Sequence, residues 1–155
     1  MADLDVTAME ARRMVGLRRH FSWDRVSEVP GVWEAFAPFL DAFGPQDAVW
    51  GLSLPPSEGD PAEGFDYMAA VDSDGPVPAG LDEAVLPHGD WARFVHEGPV
   101  AGLPASCRRA FEAVAAAEGW DHAPAAVQIV ERYGDGFDAR NGEGRVDLWV
   151  PVTRA

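Results

Sequence analysis

The chain contains no lysine. All twelve of its basic residues are arginine, set against 26 acidic residues, for a formal net charge of −14. Such a surface repels a phosphate backbone, so nucleic-acid binding by the whole surface is disfavoured, while organic cations would be modestly concentrated near it at low salt. The one basic cluster, Arg12, Arg13, Arg18 and Arg19, reads as the solvated flanks of a strand. Cysteine is nearly absent too: Cys107 stands alone, which excludes an internal disulfide and fits a reducing compartment. The histidines, His20, His88, His96 and His122, are dispersed with no pair at ligand spacing, so neither a metal nor another cofactor is expected. No apolar run nears the ~20 residues of a membrane span. The N-terminus lacks an apolar stretch behind a basic start, so a cytoplasmic location is expected. Neither a Gly-x-Ser-x-Gly elbow nor a P-loop occurs.

What is present is apolar and aromatic. Hydrophobic residues make up 47% of 155 positions, with six Trp and eight Phe, enough to bury a core in one domain spanning 1–155. Residues 1–10 carry little pattern and read as a lead-in. Met14–Arg19 reads as a strand. From Val32 the apolar positions Val32, Trp33, Phe36, Phe39, Leu40 and Phe43 mark one broad helix face, with Pro38 kinking the helix or ending its regular part and Gly44-Pro45 stopping it. Ala48–Leu54 and Phe65–Val71 read as strands, and Asp72–Gly80 as a connector.

Beyond the connector the order repeats. Trp91–His96 is a strand; Leu103–Glu118 is a helix with Pro104 in its first turn and Cys107, Ala110, Phe111 and Val114 on one face; two more strands follow. The implied architecture is α+β: two strand-helix-strand-strand repeats, about 12–72 and 84–153, whose antiparallel sheets pair and leave a pocket at the junction.

The last quarter, Val127–Val152, reads as two strands around a glycine-rich turn region. Alternation puts Glu131 and Tyr133 on one face of the first and Asp147 and Trp149 on one face of the second. These are expected to share a face, two carboxylates among two aromatic rings, with Val146, Leu148 and Val150 on the other. A carboxylate among rings attracts an organic cation through both charge and quadrupole.

Four segments then carry a resemblance. FDYMAAV, WARFVHEGPV, VERYGDGFD and RVDLWVPV, in that order and with Trp33 in the first helix, resemble the GyrI-like small-molecule-binding domain, the effector-binding domain also found in AraC-type and MerR-type multidrug-sensing regulators. The resemblance implies a pocket between the repeats with Glu131 as its glutamate, and a wall containing Trp33 and Trp149. Phe111 or Cys107 would join from the second helix, and Tyr67, Tyr133 and Asp147 are further candidates; Phe36, beside Trp33 on the first helix, is also carried as a ligand-binding candidate. Val130 departs from the phenylalanine usual before the glutamate, Arg108 and Arg109 stand where aromatics are frequent, and Asp147 replaces a longer Glu.

Three functions follow as alternatives. The first is a stand-alone binder of a hydrophobic, aromatic or cationic small molecule, for drug or toxin sensing or sequestration. The second is a hydrolase of cyclopropanoid or other electrophilic genotoxins, with Glu131 as base for water and Tyr67 or Tyr133 steadying the developing charge. The third is a protein-binding modulator of a topoisomerase such as gyrase. His96 is expected to be structural, beside the Gly98-Pro99 turn, and Cys107 a packed small hydrophobe.

Overall fold

The computed structural model describes residues 4–123 and 127–155. In chain order it contains β1 (Val6–Met9), β2 (Arg12–Ser22), α1 (Pro30–Phe36), β3 (Val49–Leu54), β4 (Gly64–Asp72), β5 (Asp82–Leu86), β6 (Gly89–Pro99), α2 (Leu103–Ala116), β7 (Trp120–His122), β8 (Ile129–Tyr133), β9 (Phe137–Asp138) and β10 (Glu143–Arg154). The expected repeat is present as β2-α1-β3-β4 and β6-α2-β8-β10. Alternation did not mark β1, which falls in the stretch read as a lead-in, nor β5, β7 and β9, which are short or largely exposed.

The missed strands tie the halves together. Only Glu10 and Ala11 separate β1 from β2, and only Pro87 and His88 separate β5 from β6. Val6 faces Ala92, Met9 faces Gly89, Arg12 faces Leu86 and Gly16 faces Asp82, so one antiparallel register runs across both gaps. Each repeat thus donates the head of its first strand to the other's sheet. Pro87, which has no N–H to give, sits at the interruption. At the opposite side β3 pairs with β8, giving one sheet in the order β1-β6-β10-β8-β3-β4-β2-β5, with β7 and β9 also on β10.

The two faces of this sheet have different tasks. Both helices cover one face, where α1 buries Val32 and Phe36 against Val15, Phe65 and Val71, and α2 buries Leu103, Ala110 and Val114 against Val146, Leu148 and Val150. On the other face Trp50, Leu52, Met68, Trp91 and Val130 form a second core, joined by Met9 of β1 and Leu86 of β5. Those two strands end the strand order, so the sheet curls until its ends share one apolar interior.

The helices differ as their prolines dictate. Pro30 opens α1 where its missing N–H is no loss, and the helix tightens into a 3-10 segment, Ala37–Phe43, at Pro38. Gly44, at φ +71°, stops it. Among the described residues no helix is long and apolar enough to cross a membrane.

Candidate functional site

Strand pairing brings the two repeats into contact at β3 and β8, and the helix-facing side of this junction holds Glu131. Ile129, Glu131 and Tyr133 alternate toward the helices, and Gly51 lies directly opposite Glu131 in the ladder. The next strand, β4, contributes Tyr67 from the register position facing Ser53. α1 contributes Trp33, whose ring meets Tyr67 edge-on at 6.4 Å and Tyr133 at 5.3 Å; Phe137 packs on Tyr133 at 4.9 Å.

A chain of hydrogen bonds ends on the carboxylate. The Trp33 indole N–H donates to the Tyr67 hydroxyl over 3.0 Å, Tyr67 donates to Glu131 Oε1 over 2.8 Å, and Tyr133 donates to the same oxygen over 2.6 Å. Among the described residues Oε2 has no donor and Glu131 has no Arg or His ion-pair partner, although the residue is only 8% exposed. Burial pushes the Glu131 carboxyl above the ordinary range, against the lowering effect of both phenols and of His96. Burial, then the Glu131 charge, raises both phenols. The same two causes push the Cys107 thiol, on α2, up to about 12. That thiol is kept protonated, which argues against a nucleophilic role.

Another buried carboxylate shows what a structural acid looks like here. Asp66 lies on the opposite face of the sheet, 2% exposed. It takes Arg18 at 2.7 Å, His20 at 3.0 Å and the Ser57 N–H at 3.2 Å. Burial raises its carboxyl, but these partners outweigh it and hold the group below the ordinary range. Asp66 has a cation from its own chain; Glu131 has none among the described residues.

The strand register corrects the expectation for Asp147 and Trp149. Leu148 faces Glu131, while Asp147 faces Arg132 and Trp149 faces Val130. Asp147 and Trp149 therefore stand on the opposite side of the sheet from Glu131. Alternation fixes which residues of one strand share a face, but a one-residue difference in pairing between strands exchanges the faces. Asp147 is held by Arg93 at 3.0 Å, Arg145 at 3.2 Å and Arg132 at 3.8 Å. Trp149 packs on the Trp50 and Trp91 core under the Arg93 guanidinium, and its indole N–H is buried with no partner among the described residues.

Other candidates divide. Phe36 is fully buried against Phe39 and Phe43, a packing residue rather than a wall. Phe111 is 36% exposed and meets His122 edge-on. His96 is buried: its Nε2 donates to the Pro99 carbonyl over 3.0 Å and its Nδ1 is hydrogen-bonded to the Ser106 hydroxyl, whose oxygen accepts from Arg109. Gly51 was not among the expected site residues. Its signal was a glycine inside the strand AVWGLSL, the mark of a close approach to the backbone.

A family model, the GyrI-like small molecule binding domain, matches residues 3–153. Among solved structures, SAV2435 bound to tetraphenylphosphonium is 19% identical, with a TM-score of 0.73 over 98% of this chain and 94% of that one. An integron cassette protein from the mobile metagenome of Vibrio cholerae is 16% identical, with a TM-score of 0.70 over 97% and 96%. The C-terminal domain of EcmrR is 15% identical, with a TM-score of 0.64 over 99% and 98%. At these identities the likeness speaks for the fold. No curated protein matches the sequence.

Proposed function

The chain belongs to the GyrI-like small-molecule-binding domain family, and from that premise we propose that it binds a lipophilic organic cation against Glu131. The observation that carries this reading is a buried carboxylate with hydrogen-bond donors but no counter-cation among the described residues. Burying a charge costs several kcal/mol unless an opposite charge accompanies it. A cation entering beside Glu131 would supply that charge, and Trp33, Tyr67 and Tyr133 supply ring faces or edges near it.

The hydrogen-bond count narrows the class. Oε1 is occupied by two phenols, leaving Oε2 as the acceptor. A primary ammonium brings three donors and would bury some of them unsatisfied. A fully substituted ammonium or phosphonium brings none. That SAV2435, a structure of the same fold, is seen with tetraphenylphosphonium agrees with this preference. Use in sensing or sequestering such compounds inside the cytoplasm is part of the same proposal.

The hydrolase reading is weaker on the same geometry, because it asks Tyr67 or Tyr133 to stabilise charge on a substrate while both hydroxyls are committed to Glu131. Titration calorimetry with tetraphenylphosphonium tests the binding reading. Saturable binding that falls at least tenfold in Glu131→Gln, about 1.4 kcal/mol, is expected. Equal affinity in the two proteins would refute it.

A further inference from the structure

Gly51 lies in the middle of β3, in a backbone conformation open to any residue, so its conformational freedom is not what the position uses. Space is. A Cβ there would fall 2.2 Å from the Tyr67 hydroxyl oxygen, 2.7 Å from Glu131 Oε1 and 3.0 Å from the Tyr67 ring carbon bearing the hydroxyl. None of these neighbours is a loose chain end: both residues are buried and hydrogen-bonded to each other. Glycine also weakens a strand interior, so the position gives up sheet stability for room.

Setting the repeats side by side shows what the room is for. About the β3–β8 ladder, Val49, Gly51 and Ser53 of one repeat correspond to Ile129, Glu131 and Tyr133 of the other, with Gly51 facing Glu131 at the centre. One repeat supplies carboxylate and phenol; the other withdraws bulk at the two matching positions. The carboxylate then lies across the backbone of its counterpart strand, where Tyr67 of the glycine's own repeat reaches it.

We propose that Gly51 is the positioning residue of the Glu131 site: by withholding a side chain it lets the carboxylate and the Tyr67 hydroxyl meet over β3, and so places the acceptor a lipophilic cation would meet. The proposal deepens the cation-binding reading and rests on it for its functional meaning, but its structural part can be tested without ligand. Gly51→Ala forces Tyr67 away first, because that contact is the shorter, and leaves Tyr133 as the donor to Oε1. The titratable groups facing Glu131 are Tyr67, Tyr133, Cys107 and His96, and of these only Tyr67 is displaced directly.

The experiment is a carboxyl-carbon NMR titration of Glu131 in wild type, Gly51→Ala, Tyr67→Phe and the double variant, with tetraphenylphosphonium affinity measured in parallel. A hydrogen bond to the ionised form favours it, so losing one should raise the Glu131 midpoint, by about one pH unit. Gly51→Ala and Tyr67→Phe should each show this rise and the double variant little more than either, the non-additivity expected of residues acting through one contact. Affinity at pH 7 should fall several-fold in all three. A Gly51→Ala protein with a wild-type midpoint would overturn the proposal, as would full additivity in the double variant. If Gly51→Ala alone does not fold, Tyr67→Phe decides: an unchanged midpoint there means the protected hydrogen bond does not hold the carboxylate, and the proposal falls. Should the midpoints move as expected while wild type binds no lipophilic cation, the ligand reading fails and the positioning role stands.

Discussion

Asp66 and Glu131 are both buried acids in one sheet, yet they are treated in opposite ways. Asp66, on the face away from the helices, is held by Arg18, His20 and the Ser57 amide and is kept ionised more readily than a free carboxyl. Glu131, on the helix-covered face, receives two neutral phenols and is harder to ionise than a free carboxyl. The first arrangement completes its own charge balance. The second leaves it open among the described residues, and under the proposed function a bound cation would bring the missing charge and recover the cost of burying the carboxylate.

The largest effect expected from breaking this contrast is at the closed site. Asp66→Asn strands Arg18 and should cost about 3 kcal/mol by urea unfolding. With its folded proton affinity lowered, the Asp66 contribution is present above the unfolded pKa and is lost as pH falls through the folded one. Trp149→Ala, on the same side as Asp66, should cost about 2 kcal/mol through lost packing while leaving tetraphenylphosphonium affinity unchanged. A large affinity loss in that variant would mean the two faces communicate.

Smaller and of opposite sign is the effect at the open site. Glu131→Gln keeps an acceptor for both phenols and removes a buried charge, so stability at neutral pH should hold or rise by about 1 kcal/mol. Because the folded-state proton affinity is raised, wild-type stability should decline as pH climbs through the folded pKa, and this decline should be missing from the variant. The finest test uses Cys107, whose thiol is raised by burial first and by the Glu131 charge second. Iodoacetamide should label it slowly at pH 8, and Glu131→Gln should speed the reaction a few-fold; no change would place the two groups out of electrical contact.

Much of this was legible before coordinates. Helical spacing from Val32, the loss of regularity at Pro38, the stop at Gly44, the second helix after Pro104 and the doubled element order all follow from local physics, and so does the sharing of a face by Glu131 and Tyr133. What local physics does not carry is pairing between strands. Nothing within RVDLWVPV tells whether Leu148 or Asp147 faces Glu131, and the structure chooses Leu148. The arginines that surround Asp147 come from β6, β8 and β10, so only the folded sheet brings them together. β1 and β5 were missed for a related reason: segments of four or five residues, all but Leu86 at least partly exposed, have weak alternation of their own and are strands because a partner's edge lies alongside.

The ladder that passes unbroken in register over Glu10-Ala11 and Pro87-His88 makes each half the custodian of the other's border. Neither half expressed by itself would own a finished margin, and two fragments severed between β4 and β5 should re-associate by trading strand heads. Through that same trade two intact molecules have a route to an exchanged dimer, in which the borders are honoured but the owners differ.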